Sequence, residues 1–130
     1  MGAEEEMIHL DANILILATQ SKSDVQSKLR TWLQHGESFA SSAVAWAEFL
    51  NGPLSPENRQ DGHFLIQGRV VPFSESEAQT AAWLFHLTGR KKRTKPDCFI
   101  AATAIRASVP LATFDRKDFL PFIPHGLQLI

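Results

Sequence analysis

Short apolar runs alternate with longer stretches of helical spacing along this chain, and that alternation most restricts what it can fold into. Met7-Ile8-His9-Leu10 is a compact apolar run of the kind a buried strand requires. Ile14, Leu15, Leu17 and Ala18 then recur at helical spacing over 12–18. A second helix is expected from a cap at Ser23-Asp24 through His35, with Val25, Leu29, Trp32 and Leu33 on one face and Gly36 ending it. Phe39-Ala40-Ser41-Ser42 is a weak strand candidate. The helix expected over 43–51 is stopped by Gly52-Pro53, and another, opened by Ser55-Pro56-Glu57, runs to Gln67. Residues 69–73 form a third strand. Ser74 opens a helix to Gly89 whose Glu75 and Glu77 suit the helix dipole. Pro96 belongs to the first turn of a helix running to Ala107, residues 109–113 form a fourth strand, and 127–130 are a candidate fifth.

Strands that alternate with helices build βαβ units, so the expected fold is a three-layer α/β/α domain around a mostly parallel sheet. With 130 residues and 44% hydrophobic content the chain suits one core, spanning residues 7–130. Residues 1–6 are polar and acidic, and are read as a disordered leader or an expression remnant outside the fold. A single cysteine, Cys98, cannot build a disulfide framework and favours a reducing compartment. There is no bilayer-length apolar run and no signal-peptide pattern, so a soluble, cytoplasmic protein without membrane contact is expected. The formal net charge of −1 does not advertise a nucleic-acid binder, which leaves that question to local clustering.

Four acids fall where ligands of open α/β sheets gather, beyond the carboxyl ends of the strands. Asp11 follows the first strand directly, and Asp115 comes two residues after Thr113. Asp97 lies in the first turn of its helix, where the dipole is expected to depress its pKa. Glu48 sits inside the otherwise apolar helix Ala43-Val44-Ala45-Trp46-Ala47-Glu48-Phe49-Leu50. Taken singly, each has an ordinary reading: a helix cap for Asp11, a dipole partner for Asp97, a solvated face for Glu48, a polar turn for Asp115. Taken together they form a set of oxygen ligands suited to a hard cation, Mg²⁺ or Mn²⁺, because clustered carboxylates raise one another's pKa unless a cation neutralises them. Such an ion activates water and stabilises charge on a phosphate, and two ions roughly 4 Å apart clamp both oxygens of a phosphoryl displacement. The nucleophile elbow, Walker A loop and dinucleotide-binding turn are all absent, consistent with hydrolysis that needs no protein nucleophile.

The segments Leu10-Asp11-Ala12-Asn13-Ile14-Leu15-Ile16, Ala47-Glu48-Phe49-Leu50-Asn51-Gly52, Pro96-Asp97-Cys98-Phe99-Ile100-Ala101-Ala102-Thr103-Ala104 and Ala112-Thr113-Phe114-Asp115-Arg116-Lys117-Asp118-Phe119 resemble, in order, the four motif blocks of PIN domains. Among these the chain is most similar to the bacterial VapC-type toxins, from about Met7 to Ile130. The resemblance implies a parallel sheet of about five strands between helices and Mg²⁺- or Mn²⁺-dependent cleavage of RNA. It further implies a homodimer and inhibition by a cognate antitoxin. Carried over by position, Asp11, Glu48 and Asp97 are the core metal-coordinating acids and Asp115 the fourth, more variable one. Asn13 and Thr113 match recurrent polar positions that orient ligands, or serve as a local cap and turn. Asp118 is assigned to the turn before Phe119. Phe49 and Phe114 place aromatics where the motif blocks commonly carry polar or smaller residues, and residues 52–68 match no function.

Arg90, Lys91, Lys92, Arg93 and Lys95 precede Asp97 closely and are candidates to hold RNA phosphates, against the alternative of a solvated helix C-terminus where cations are favoured anyway. Cys98 is read as core rather than nucleophile. His9, His35, His63, His86 and His125 show no metal-ligand spacing, and Trp32, Trp46 and Trp83 are assigned to core or dimer contacts rather than base stacking. Two other functions share parts of this pattern. A receiver-like signalling domain also gathers acids and Mg²⁺ at the sheet edge, although Glu48 and Asp97 on helices fit it poorly. A PIN-like fold that binds RNA without cleaving it is the other.

Overall fold

The computed structural model of the chain describes residues 6–20 and 24–130. The leader residues 1–5 and the expected cap at Ser23 lie outside the described residues. Four strands, β1 (Glu6–Leu10), β2 (Glu37–Ser42), β3 (Val70–Val71) and β4 (Leu111–Ala112), form one parallel sheet in the order β3-β2-β1-β4. Parallel neighbours cannot be joined by a hairpin, so helices carry every crossover. Helices α1 (Ala12–Gln20) and α2 (Asp24–Gln34) link β1 to β2, and α3 (Ala43–Asn51) and α4 (Pro56–Leu65) link β2 to β3. Between β3 and β4 run α5 (Glu75–Leu87) and α6 (Lys95–Ala107), and α7 (Arg116–Phe119) follows with a 3-10 segment, Leu120–His125. Glu6, grouped with the leader on sequence, is the first residue of β1 and pairs with Glu37.

The sheet is covered on both faces, which makes the three layers. Ile8 and Leu10 are fully buried against α1, α2 and the rings of Phe39 and Phe49. The opposite layer gathers Leu84, Ile100, Leu111, Phe119 and Phe122 from α5, α6, β4 and the C-terminal segment. Side chains alternate along a strand, so His9 faces away from Ile8 and Leu10; it is only 2% exposed. Burying the rings of Phe39, Phe49, Phe119 and Phe122 contributes roughly 1.5–3 kcal/mol each before the entropy of ordering them.

Two strands are shorter than the apolar runs suggest, because proline interrupts them. Pro72 ends β3 after Val71, and Pro110 offers no N–H, so β4 pairs only through Leu111 and Ala112. The fifth strand is reduced to a parallel bridge between Leu111 and Leu129. There the N–H of Leu111 donates to Gln128 (2.9 Å) and the N–H of Ile130 donates to Leu111 (3.1 Å). The 3-10 segment runs to His125 and Gly126 turns the chain at φ 112°, so pairing begins only beyond it. Residues 52–68, without an assigned element function on sequence, supply α4, which packs against α1. Gly62 of α4 lies against the Phe49 ring of α3, where a Cβ would come within 2.7 Å of the ring.

The strand order reverses direction between β1 and β4: the chain builds outwards from β1 through β2 to β3, then returns to β1's other side. The carboxyl ends of β1 and β4 therefore flank the topological switch point, where open α/β sheets place their ligands.

Candidate active site

Asp11, Glu48, Asp97 and Asp115 come from four separate segments and line one small cavity of about 210 Å³, together with Ala12, Asn13 and Ile16. Asp11 leaves the end of β1, and Asp115 leaves the turn after β4. Glu48 rises from β2 on α3, whose first turn is capped by the Ser42 hydroxyl accepting from Ala45 N–H at 3.0 Å. Asp97 is brought to the same edge because α6 starts there, with Pro96 pre-set in its first turn. Two larger hollows, about 700 and 590 Å³ near Phe64, contain no such set of acids. Volume alone does not locate the chemistry.

Thr113 and Asn13 hold two of the acids, Asp11 and Asp115, in place. The Thr113 hydroxyl donates to Asp11 Oδ2 (2.7 Å) and accepts from the Asp115 N–H (3.0 Å) and from Asn13 Nδ2 (3.4 Å). Asn13 Nδ2 also donates to Asp115 Oδ2 (3.1 Å), and its Oδ1 accepts the Phe114 N–H (3.3 Å). Asp11 Oδ1 accepts the Ala12 N–H at 2.8 Å, while its carbonyl accepts the N–H groups of Ile14 and Leu15. Asp11 thus serves as the cap of α1 and also lines the acidic cavity. A buried carboxylate with both oxygens engaged has its orientation fixed.

The electrostatics are those of like charges crowded together. Burial raises the Asp11 carboxyl, with Asp115 adding to it against the opposing hydrogen bonds from Thr113 and Ala12. Burial, then Asp11 and Asp115, raise Glu48. Asp97 corrects the expectation from sequence: it is not depressed by its helix dipole but raised to about 6, by burial and then by Asp11, Asp118, Glu48 and Asp115. Desolvation and four nearby carboxylates outweigh one helix end. Asp118, assigned on sequence to the turn, is exposed and belongs to this field. Its offset of three from Asp115 across α7 was the available signal.

A group of carboxylates this poorly neutralised fits a divalent cation in its chemistry. Their spacing is open: among the described residues no group of three or more His, Cys, Asp or Glu side chains already stands close enough to hold an ion. Mg²⁺ does not require that closure, since it keeps several waters and is bound through one or two carboxylates plus substrate phosphates. The residues present fit such an ion as an open site.

The remaining sequence candidates sort as follows. Arg90, Lys91, Lys92, Arg93 and Lys95 are all exposed. Lys92 and Arg93 form a 3-10 turn that leads into α6, and Lys95 is the first residue of that helix. Cations are disfavoured at a helix N-terminus, so the dipole explanation does not account for Lys92, Arg93 and Lys95. Cys98 is fully buried and burial raises its thiol, as a core residue. His9 is likewise core, held neutral by burial with a pKa lowered to about 4. Of the two roles expected for the tryptophans, core or dimer contact, Trp83 does not fill the first: it is 49% exposed, edge-on to His125.

Among curated proteins no sequence matches the chain significantly. Solved structures match its fold over nearly its whole length. FitAcB from Neisseria gonorrhoeae superposes with a TM-score of 0.71 at 24% identity, covering 95% of this chain and 96% of that one. A toxin-antitoxin complex from Klebsiella pneumoniae gives 0.69 at 24%, covering 89% and 91%. VapBC2 from Rickettsia felis, bound to a DNA fragment from its promoter, gives 0.68 at 19%, covering 95% and 97%. The PIN domain family model matches residues 8–120, from the third residue of the β1–β2 ladder to the 3-10 segment after α7. A match of that extent, on the fold described, makes this protein a member of the PIN domain family.

Proposed function

We propose that this PIN-domain protein is an endoribonuclease that hydrolyses RNA phosphodiester bonds with Mg²⁺ or Mn²⁺, as the toxin of a toxin–antitoxin pair. One observation carries the chemistry: four acids from four segments line one pocket at the switch point, with Asp97 raised to about 6. When bound, the metal ion would supply Lewis acidity at a phosphoryl oxygen and would lower the pKa of water so that hydroxide is available to attack phosphorus. Asp11 is the rigid ligand, since Thr113 and the Ala12 N–H fix both of its oxygens. Asp97 and Glu48, whose carboxyls are raised by burial and by their acidic neighbours, would release their protons to solvent as they take up the cation, and Asn13 would hold Asp115 beside them. Arg90, Lys91, Lys92, Arg93 and Lys95 hold RNA phosphates and lead the strand to the acids.

The toxin assignment rests on the fold neighbours, of which one is a toxin-antitoxin complex and another a VapBC2 complex. An antitoxin partner and a homodimer follow from it. A cytoplasmic location agrees with a lone buried thiol, and no helix among the described residues is long and apolar enough to cross a membrane. The receiver-like reading falls with the family assignment.

The test is purified protein incubated with a structured RNA pool in Mg²⁺, in Mn²⁺ and in chelator, beside Asp97→Asn. Metal-dependent cleavage that the substitution abolishes is the expected result. Folded, antitoxin-free protein that binds RNA yet cleaves none with either metal would leave the non-catalytic binding module instead.

A further inference from the structure

A second cavity adjoins the acid pocket. It encloses about 140 Å³, and its wall includes Lys28, Trp32, Thr113, Phe114 and Arg116. Thr113 is the partition between the two: its hydroxyl serves Asp11 on one side while the residue lines this cavity on the other. Phe114 is 54% exposed, and its N–H is tied to the same Asn13 that holds Asp115. No Asp or Glu lines this cavity, in contrast to its neighbour. Lys28 Nζ lies 5.2 Å from the centroid of the Trp32 ring, and the Arg116 guanidinium donates to the Ile130 carbonyl at 3.1 Å.

Two aromatic rings and two cationic donors, on a wall whose other residues are mostly aliphatic and include no Asp or Glu, describe a seat for a flat ring that carries acceptor oxygens and is attached to phosphate. Aromatic side chains stack on nucleobases, and Lys and Arg offer only donors, which suits a ring carbonyl. Size narrows the choice. An apolar cavity of about 150 Å³ takes one benzene ring, so this one accepts a single six-membered ring and not a fused pair. We propose that the cavity is the base-binding subsite of the nuclease, taking a pyrimidine next to the scissile phosphate, with Phe114 as its stacking face. The proposal rests on the RNA-hydrolysis reading of the adjacent acids, and it makes Phe114 a specificity-determining residue of that reaction.

Two measurements on the full chain test it. In the first, UMP and AMP are titrated separately and followed by amide and indole NMR shifts. UMP is expected to bind several-fold more tightly than AMP and to shift the Trp32 indole. Phe114→Ala should weaken UMP about tenfold, while Phe114→Tyr retains it. Phe114 is more than half exposed, so neither substitution threatens the fold. In the second, short single-stranded RNAs differing at one position are cleaved in Mg²⁺ or Mn²⁺ by the wild type and by Phe114→Ala. The wild type should prefer a pyrimidine at that position by about tenfold, and the variant should lose the preference. Cleavage with the same base profile in both proteins, or equal binding of UMP and AMP, overturns the subsite while leaving the nuclease intact. Pyrimidine-selective binding that Phe114→Ala removes, without cleavage of any RNA, upholds the subsite and overturns the hydrolytic reading.

Discussion

Thr113 uses its one donor and both acceptor positions on three groups of the site, so its replacement tests whether those bonds matter. Thr113→Val keeps the shape and removes the hydroxyl, leaving buried Asp11 with one partner fewer. Outer partners of ligating side chains are typically worth about 10–100-fold in metal affinity, so Mn²⁺ binding by calorimetry should weaken by at least about tenfold. Thr113→Ser should restore it. Equal Mn²⁺ affinity in Thr113→Val and the wild type would mean that Asp11 is not a ligand. Asp97 lends itself to a test by pH. Its folded pKa of about 6 lies above the ordinary 3.8, so between these values the folded chain binds more protons than the unfolded one. The contribution of Asp97 to the stability of the metal-free protein is therefore full below about pH 4, declines as pH rises to about 6, and is lost above that. Asp97 is only partly buried, and after discounting for solvent screening the loss is about 1 kcal/mol. In chelator at pH 7.5, Asp97→Asn should melt about 3–5 °C above the wild type, and at pH 4 the difference should vanish. Saturating Mg²⁺ should reverse the order at pH 7.5 by stabilising the wild type alone. A variant that melts below the wild type in chelator at both pH values would show that Asp97 is a structural residue.

The scale of elements explains why Glu48 stands where it does. It sits on α3 between a capped first turn and the buried Phe49, and α4 presses on that ring through Gly62. Glycine within a helix ordinarily gains about 1 kcal/mol on replacement by alanine, yet here a Cβ would come 2.7 Å from two atoms of a fully buried ring. Gly62→Ala should therefore destabilise the chain, by about 1–3 kcal/mol in denaturant unfolding, and move Glu48 enough to lower cleavage. A rise in stability would mean that the ring yields freely. Nothing in residues 52–68 announces this role, because a glycine chosen for close approach looks like any other glycine until its neighbour is known. The elements that were readable are those with local causes. Met7–Leu10, the capping-box serine before α5, Pro96 at the start of α6 and Gly36 after α2 each carry a nearest-neighbour reason in the chain. The truncated β3, the two-residue β4 and the bridge that replaces a fifth strand depend on which N–H groups find a partner across the sheet. The 3-10 segment over 120–125, with Pro121 and Pro124, carries no hydrophobic period to read. Of the site, Asp11, Asp97 and Asp115 were visible through their positions at strand and helix ends, and Glu48 as a lone acid inside an apolar helix. The rise of Asp97 was not, since it comes first from burial and then from the fields of acids distant in sequence, Asp118 among them.

At the scale of the whole molecule the problem is charge. The formal net charge is −1 and the acid pocket is itself negative, so a polyanion gains nothing from the average field. On the proposed function, attraction has to come from a local concentration of cations, and the stretch from Arg90 to Lys95 is the candidate. Part of that stretch is engaged: Arg90 Nε donates to His86 Nδ1 at 2.8 Å, and Lys95 Nζ lies 5.5 Å from the centroid of the Phe85 ring. Lys91, Lys92 and Arg93 are exposed, and they lead directly into the helix that carries Asp97. Each phosphate contact to a single strand adds about 0.7 to the slope of log binding constant against log salt. Replacing Lys91, Lys92 and Arg93 together by glutamine should therefore lower the slope by about 2 and weaken binding alike for all RNA sequences. The comparison is best made in the Asp97→Asn background, where the RNA stays whole, by fluorescence anisotropy across a salt series. Loss of slope with unchanged base preference would separate this electrostatic track from the aromatic cavity at Phe114, which sits on the other side of the acids' own frame of Thr113 and Asn13. An unchanged slope would return the three cations to a solvated turn and leave the strand to reach the acids by another route.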